Sequence, residues 1–245
     1  MRAGNRLFGP IHHRYPGRVL ILVVDTSTPA ITAAVVEIAP TSAASASIVL
    51  LAERVTIDGK AHGEQLAPQI DAALAEAGAK PRDLTAIVAG LGPGPFTGLR
   101  VGLVTAVVMA DTLGIPTYGV CSLDGLGALA GAVPLLVATD ARRKEVYWAV
   151  YRDGVRTHGP SVDNPATVGV TVSQFGAASA VGEGAVRYAD QLGLPVAAGS
   201  AYPSAVELAR GAAARVRAAA PSETLQPLYL RRPDAVEPSA RKTVL

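Results

Sequence analysis

A single cysteine, Cys121, in 245 residues leaves neither a disulfide framework nor a cysteine-based zinc site. A chain of this length buries enough core to fold without such staples, as one large or two small domains. A reducing compartment follows as the expectation. Long apolar runs are missing as well. The longest, Val101 to Ala110, is interrupted by Thr105 and falls short of the roughly 20 residues that span a bilayer. Residues 1–17 hold no long apolar segment of the kind a secretory signal needs. The expectation is a cytoplasmic protein with no membrane partner. Net charge is small, +2, so overall charge does not mark a nucleic-acid binder. The first 18 residues nonetheless hold four Arg, two His and no acid. They read as a disordered extension or as a basic arm. No short-period repeat is present.

What is present is a glycine-rich loop, Gly92-Pro93-Gly94-Pro95-Phe96-Thr97-Gly98, between an apolar run and a helical one. Asp83 to Gly90 reads as a strand feeding it, and Thr97 to Leu113 as the helix leaving it. That arrangement aims backbone N–H groups and a helix dipole at an anion. The loop lacks the Lys-Ser/Thr pair of a P-loop, and Thr97 stands where a dinucleotide fingerprint needs its third glycine. The scaffold of a nucleotide site is there without its chemistry.

Three strands come first: Arg18 to Val24, a β-branched and leucine run suited to burial on both faces, then Ala30 to Ile38 and Ile48 to Ile57, with a loop at 40–47. A helix follows over Gly63 to Ala77, ended by Gly78, then the strand to Gly90, the helix from Thr97, and a strand at Thr117–Val120. Leu135–Thr139, Val146–Tyr151 and Ala178–Gly182 read as strands of a second unit, and Ser161–Val172 is weakly patterned. Ser204 to Ala219 reads as a helix between Pro203 and Pro221. The expected division is an extension (1–17), a first lobe (18–120), a smaller second lobe with the C-terminal helix (121–232) and a loose tail (233–245).

The loop G-P-G-P-F-T-G-L-R-V-G resembles the G-P-G-S-F-T-G-L-R-I-G of the TsaB (YeaZ) family, accessory subunits of bacterial tRNA threonylcarbamoyladenosine synthesis. Val24-Asp25-Thr26-Ser27-Thr28, His62-Gly63-Glu64-Gln65-Leu66-Ala67-Pro68, Asp140-Ala141-Arg142-Arg143-Lys144-Glu145-Val146-Tyr147 and Leu228-Tyr229-Leu230-Arg231 agree with it in order and spacing. Pro95 departs from the usual Ser, removing a hydroxyl and an N–H. The resemblance implies an α/β, two-lobed actin-like ATPase (ASKHA, ribonuclease H-like) fold, degenerate for nucleotide binding.

In ATP-using members of that superfamily, glycine turns after the first strand of each lobe hold metal and phosphate. Here the turns are Asp25-Thr26-Ser27-Thr28 and Asp140-Ala141-Arg142-Arg143, both without glycine. Asp25 and Asp140 therefore read as turn caps or as ligands of metal-bound water. A weak contact with ADP or ATP, in the cleft or at a partner interface, would involve Asp25, Thr26, Ser27, Asp140, Gly182 and Gly184. Metal-dependent relatives carry two histidines one helical turn apart. His12, His13, His62 and His158 offer no such pair, so no metal is expected. Cys121, Ser27 and Thr97 lack a recognisable base nearby, and Ser122 reads as an N-cap for a short helix at Leu123–Leu129.

In the helix from Thr97, Gly98, Gly102, Ala106, Ala110 and Gly114 recur every fourth residue, and Leu99, Val101, Leu103, Val104, Val107, Val108 and Met109 run beside them. A helix apolar all round needs cover on both sides, and one sheet covers only one. The cover is the helix from Gly63, with Leu66, Ile70, Ala73, Leu74 and Ala77, or a partner. The resemblance implies pairing through these two helices, with a TsaD-like transferase or with a second copy. The expected interface comprises His62, Leu66, Ile70, Phe96, Thr97, Gly98, Arg100, Val101, Gly102, Val104 and Val107, with Arg100 at a carboxylate or phosphate in the joint or on its rim. The implied function is that of a non-catalytic partner activating N6-threonylcarbamoylation of adenosine 37 in tRNAs reading ANN codons. A TsaE-like ATPase would join the assembly, and tRNA would be met only through the complex. The alternative is an ATP-dependent small-molecule kinase or transferase of the same fold, using Asp25 and Asp140 with magnesium.

Overall fold

The computed structural model describes residues 19–39 and 47–231. The basic arm with His12 and His13, most of the 40–47 loop and the tail from 233 lie outside the described residues. Strand β1 (Val19–Asp25) pairs antiparallel with β2 (Ala30–Ile38), and β2 with β3 (Ile48–Ile57). Helix α1 (His62–Glu76) leads through a 3-10 turn at Pro81–Asp83 to β4 (Ala86–Gly90), parallel to β1. Helix α2 (Phe96–Leu113) then precedes β5 (Thr117–Val120), parallel to β4. The sheet order is β3-β2-β1-β4-β5.

Burial on both faces explains the unbroken apolar reading of β1. Leu22 and Val24 face a core built with Leu66, Ile70, Leu99 and Leu103 of α1 and α2. Ile21 and Val23, pointing the other way by the period of two, face Leu208, Ala209 and Ala212. These last belong to the C-terminal helix. The helix expected in the second lobe thus closes the first sheet instead.

After the short α3 (Asp124–Gly127), the second sheet holds β6 (Leu135–Asp140), β7 (Val146–Arg152) and β8 (Val155–Asp163). Helix α4 (Pro165–Ser173) leads to β9 (Ser179–Val181), which lies parallel to β6. Its order, β8-β7-β6-β9, repeats β3-β2-β1-β4 of the first sheet. Helices α5 (Glu183–Arg187) and α6 (Ala189–Leu192) follow, then α7 (Ala205–Arg217), capped by Ser204. The weakly patterned 161–172 stretch is the end of β8 and most of α4. Asn164 caps α4 by accepting from the Ala166 N–H, and Pro165 opens it.

Helix α2 runs beyond the Val101–Ala110 apolar stretch to 18 residues, and by length and composition is the one described helix that could cross a membrane. Its Gly98, Leu99, Gly102, Leu103, Ala106 and Ala110 are buried, with Leu99, Leu103, Ala106 and Ala110 in the core shared with β1 and α1. One face of α2 is thus seated on the core, and its other face is exposed.

Candidate functional site

The first turn, where ATP-using relatives would hold phosphate, is filled by the chain itself. Asp25, Thr26 and Ser27 are each no more than 2% exposed. Asp25 Oδ1 accepts from the Ser27 N–H at 2.9 Å and from the Ser27 hydroxyl at 2.7 Å, which makes it a turn cap. Its Oδ2 accepts from the Ser122 hydroxyl at 2.5 Å, and that hydroxyl accepts from the Gly92 N–H. Ser122 therefore ties the start of the glycine loop to the end of β1. It does not cap α3, whose first turn has no side-chain cap. Burial pushes the Asp25 carboxyl above its ordinary value, against the Ser122 and Ser27 hydrogen bonds that favour its charge. Gly94 lies so close over the turn that a Cβ there would sit 2.2 Å from the Ser27 carbonyl oxygen.

Small residues in α2 serve the same packing. A Cβ on Gly102 would come within 2.4 Å of the Thr26 hydroxyl, and one on Gly98 within 3.0 Å of the Thr26 carbonyl oxygen. His62 Nε2 lies 2.9 Å from the Thr28 carbonyl oxygen, fixing the start of α1 to this turn. The every-fourth-residue face thus points inward down to Ala110, and exposed Gly114 is the left-handed C-cap.

The second turn is different. Asp140 caps nothing: its carboxylate accepts from Arg187 and from the Tyr188 hydroxyl, both at 3.0 Å. Its backbone N–H donates to Glu183. Burial, and then the Asp140 charge, push the Glu183 carboxyl up to about 7. Gly182 and Gly184 press against the backbone of Ala138 and Thr139. The six residues of the expected nucleotide contact are therefore not gathered on one open surface. Beyond Asp140 the β6–β7 turn carries Arg142, Arg143 and Lys144 at φ 59°, 53° and 61°. A left-handed backbone costs a side-chain-bearing residue roughly 1–2 kcal/mol, and glycine or asparagine is its ordinary occupant.

Of the residues expected at an interface, His62, Leu66, Ile70, Gly98 and Gly102 are buried within the chain, with His62 and Gly98 reaching only the wall of a cleft. Leu66 and Ile70 belong to the first core because α1 turns that face onto β2 and β3. What remains is a stripe along the outer side of α2: Phe96, Thr97, Arg100, partly buried Val101, Val104 and Val107. Val108 joins it, and Val104 and Val108 are each 58% exposed. At its head the Arg100 guanidinium lies 3.9 Å over the Phe96 ring and donates to the Tyr229 hydroxyl at 3.0 Å. Phe96 in turn stacks on Tyr229 at 5.1 Å. Arg100 is thus held within the chain at the edge of the stripe. Tyr229 was legible only as part of the Leu228–Arg231 motif. Pro95 is the N-cap of α2, the position where the hydroxyl of a Ser would cap a backbone N–H, and no side chain caps this helix.

Beside that head, a cleft of about 760 Å³ opens between the two sheets' loops. The starts of α1 and α2 form one side, and the β6–β7 turn with Tyr147 and Leu230 the other. The Tyr147 hydroxyl reaches across to the Gly94 carbonyl oxygen at 3.4 Å. Among the described residues no group of three His, Cys, Asp or Glu side chains is placed to hold a metal ion.

Two sheets of one repeated order, with paired turns after β1 and β6, define a two-lobed α/β protein of the actin-like, ribonuclease H-like class. A family model described as "TsaD: tRNA N6-adenosine threonylcarbamoyltransferase" matches residues 54–222. A protein of Mycobacterium tuberculosis that bears only the name uncharacterised is 47% identical over 215 residues, 88% of this chain and 93% of that one. The Escherichia coli tRNA threonylcarbamoyladenosine biosynthesis protein TsaB is 37% identical over 95 residues, 37% of this chain and 41% of its own. The solved structure of YeaZ from Pseudomonas aeruginosa superposes with a TM-score of 0.67 at 27% identity, covering 86% of this chain and all of that one. The chain belongs to the TsaB (YeaZ) family.

Proposed function

We propose that this chain serves threonylcarbamoyladenosine formation in tRNA as a non-catalytic partner, binding and activating a TsaD-like transferase. The transferase would carry threonylcarbamoyl to N6 of adenosine 37 in tRNAs reading ANN codons, and a TsaE-like ATPase would join the pair. One observation carries the reading beyond family membership: the outer stripe of α2. A helix seated on its own core through Leu99 and Leu103 still offers Val104, Val107 and Val108 to solvent on its outer side, with Phe96 at the head beyond Arg100. Contiguous exposed apolar surface of this kind marks a protein partner. A stable joint would bury on the order of 1,600 Å² in total. In the absence of the transferase the same stripe pairs two copies of the chain.

The test is the yield of threonylcarbamoyladenosine, read by nucleoside mass spectrometry. The reaction contains tRNA, threonine, bicarbonate, ATP, the adenylate-forming enzyme, the transferase and the ATPase, with this chain added or left out. Product that depends on the chain is the expected result. Equal product without it, all other components being active, overturns the reading.

A further inference from the structure

Each sheet has two outer strands, and three of the four are closed. At β5 the Glu223 N–H donates to the Thr117 carbonyl oxygen, and β9 is bridged at Ala180 by Val196. β8 carries Gly159-Pro160 and departs from its register with β7 at two places. A proline and irregular pairing of this kind keep a further strand from adding to an edge. β3 has neither proline nor lysine in its ten residues. Its one irregularity lies near its start, where Leu51 is skipped between Leu50 and Ala52. From Ala52 to Ile57 the pairing with β2 is regular, and among the described residues no segment other than β2 bonds to the backbone of β3.

The register divides this stretch between two faces. Arg54 and Thr56 pair with Ala33 and Ile31 on the α1 side of the sheet, and Arg54 forms an ion pair with Glu76 of that helix. Val55 and Ile57 lie on the opposite face, 48% and 62% exposed. One exposed valine needs no explanation. Two β-branched side chains at alternate positions beside an open backbone edge are a template for another strand.

The sequence of the edge says which strand. Directly opposed residues of an antiparallel pair share a face, so two identical strands related by a two-fold axis must set one residue opposite itself. With Thr56 at the axis, Val55 meets Ile57 of the second copy and Ile57 meets its Val55. On the other face Arg54 meets Asp58, again twice, and Asp58 is exposed just past the end of β3. An axis on Glu53 or Arg54 would oppose like charges, which is destabilising, and an axis on Val55 would set Glu53 against Ile57. We propose that two copies of the chain join edge to edge through β3, with Thr56 at the two-fold axis and one continuous sheet running through both. This contact is separate from the outer stripe of α2 and does not rest on the transferase reading.

The test uses the full-length chain carrying Val104→Asp, which removes association through α2, in sedimentation equilibrium over a series of protein concentrations. A concentration-dependent dimer is expected, and adding Val55→Lys should weaken it about tenfold or more, since a charge at an edge blocks strand addition. Thr56→Cys should cross-link two copies on mild oxidation, because the two residues face each other with Cβ atoms about 4.5–5.5 Å apart. Glu53→Cys should not, its two copies standing six residues of strand, about 20 Å, apart. The native Cys121 is buried and adds no background. A chain that stays monomeric throughout, a dimer indifferent to Val55→Lys, or equal cross-linking at positions 53 and 56 overturns the proposal. Co-elution of a Val55→Lys chain with the transferase, expected to be unchanged, keeps this outcome separate from failure of the pairing through α2.

Discussion

The Thr26 hydroxyl stands between two backbone groups of α2 that are partners one helical turn apart. It donates to the Gly98 carbonyl oxygen at 2.8 Å and accepts from the Gly102 N–H at 3.1 Å. The turn that would cradle phosphate in an ATP-using relative is here a latch for α2. Thr26→Val keeps the shape and removes the hydroxyl, and with it the two bonds that tie the turn to α2, while Gly98 and Gly102 remain partners within the helix. The expected loss is about 0.5–1.5 kcal/mol, read as a fall in Tm of roughly 2–4 °C per kcal/mol for a chain of this size. Thr26→Ser should recover most of it. Equal Tm for the Val variant and the parent would show that the latch contributes nothing.

Cys121 is buried at the end of β5, and desolvation followed by the Asp124 charge pushes its thiol up to about 11. At pH 8 the thiolate fraction is then roughly a thousandth. Iodoacetamide should leave the folded protein unlabelled over a period in which the urea-unfolded chain reacts fully, with mass spectrometry as the readout. Complete labelling of the folded chain in that period would remove Cys121 from the structural residues.

β1, β2 and β4 were legible because burial on both faces gives each a largely apolar run, and α1 and α2 because their buried residues recur at helical spacing. β1 alternates between the α2 side and the α7 side, and its apolar run says so. β8 was not legible, since it is an edge strand with exposed Val155 and polar neighbours and carries Gly159-Pro160 in its middle. The capping pair Asn164-Pro165 was the available signal for α4. Which side of α2 faces the core depended on Thr26, far away in sequence, so a face of small residues gave no direction. The same holds for α7, whose amphipathic pattern states that a face is buried and not which sheet buries it. In the cleft, the run of three cations between two strands was visible in the motif. The left-handed backbone beneath it was not legible there.

Glu183 gives a pH dependence with a definite sign. Burial first, and then the Asp140 charge, raise its carboxyl from an ordinary 4.5 to about 7 in the folded chain. The folded state therefore holds this proton more tightly than the unfolded state. The stability it contributes is fully present below 4.5 and is lost as pH rises through about 7. Glu183→Gln removes the titration, so the difference in Tm between parent and variant should shift in the variant's favour between pH 5 and pH 8. Parallel profiles across that window would mean that Glu183 titrates as an ordinary carboxylate.

The stripe on α2 and the face of α1 make opposite predictions for the same kind of substitution. Val104 and Val107 are 58% and 46% exposed, so Val104→Asp or Val107→Asp should change the stability of the isolated chain by no more than about 0.5 kcal/mol. In a joint with the transferase the same carboxylate would be desolvated with no partner, and pairing should be lost. Leu66 is 1% exposed in the first core, so Leu66→Asp should unfold the chain and abolish pairing for that reason alone. Circular dichroism separates the two cases, and size-exclusion chromatography with the transferase reads the pairing. A folded Val104→Asp chain that still co-elutes with the transferase would move the interface off the outer side of α2. A folded Leu66→Asp chain would contradict the packing of α1. The expected pattern, folded and unpaired for the valines against unfolded for the leucine, assigns the partner to the face that the protein's own core leaves open.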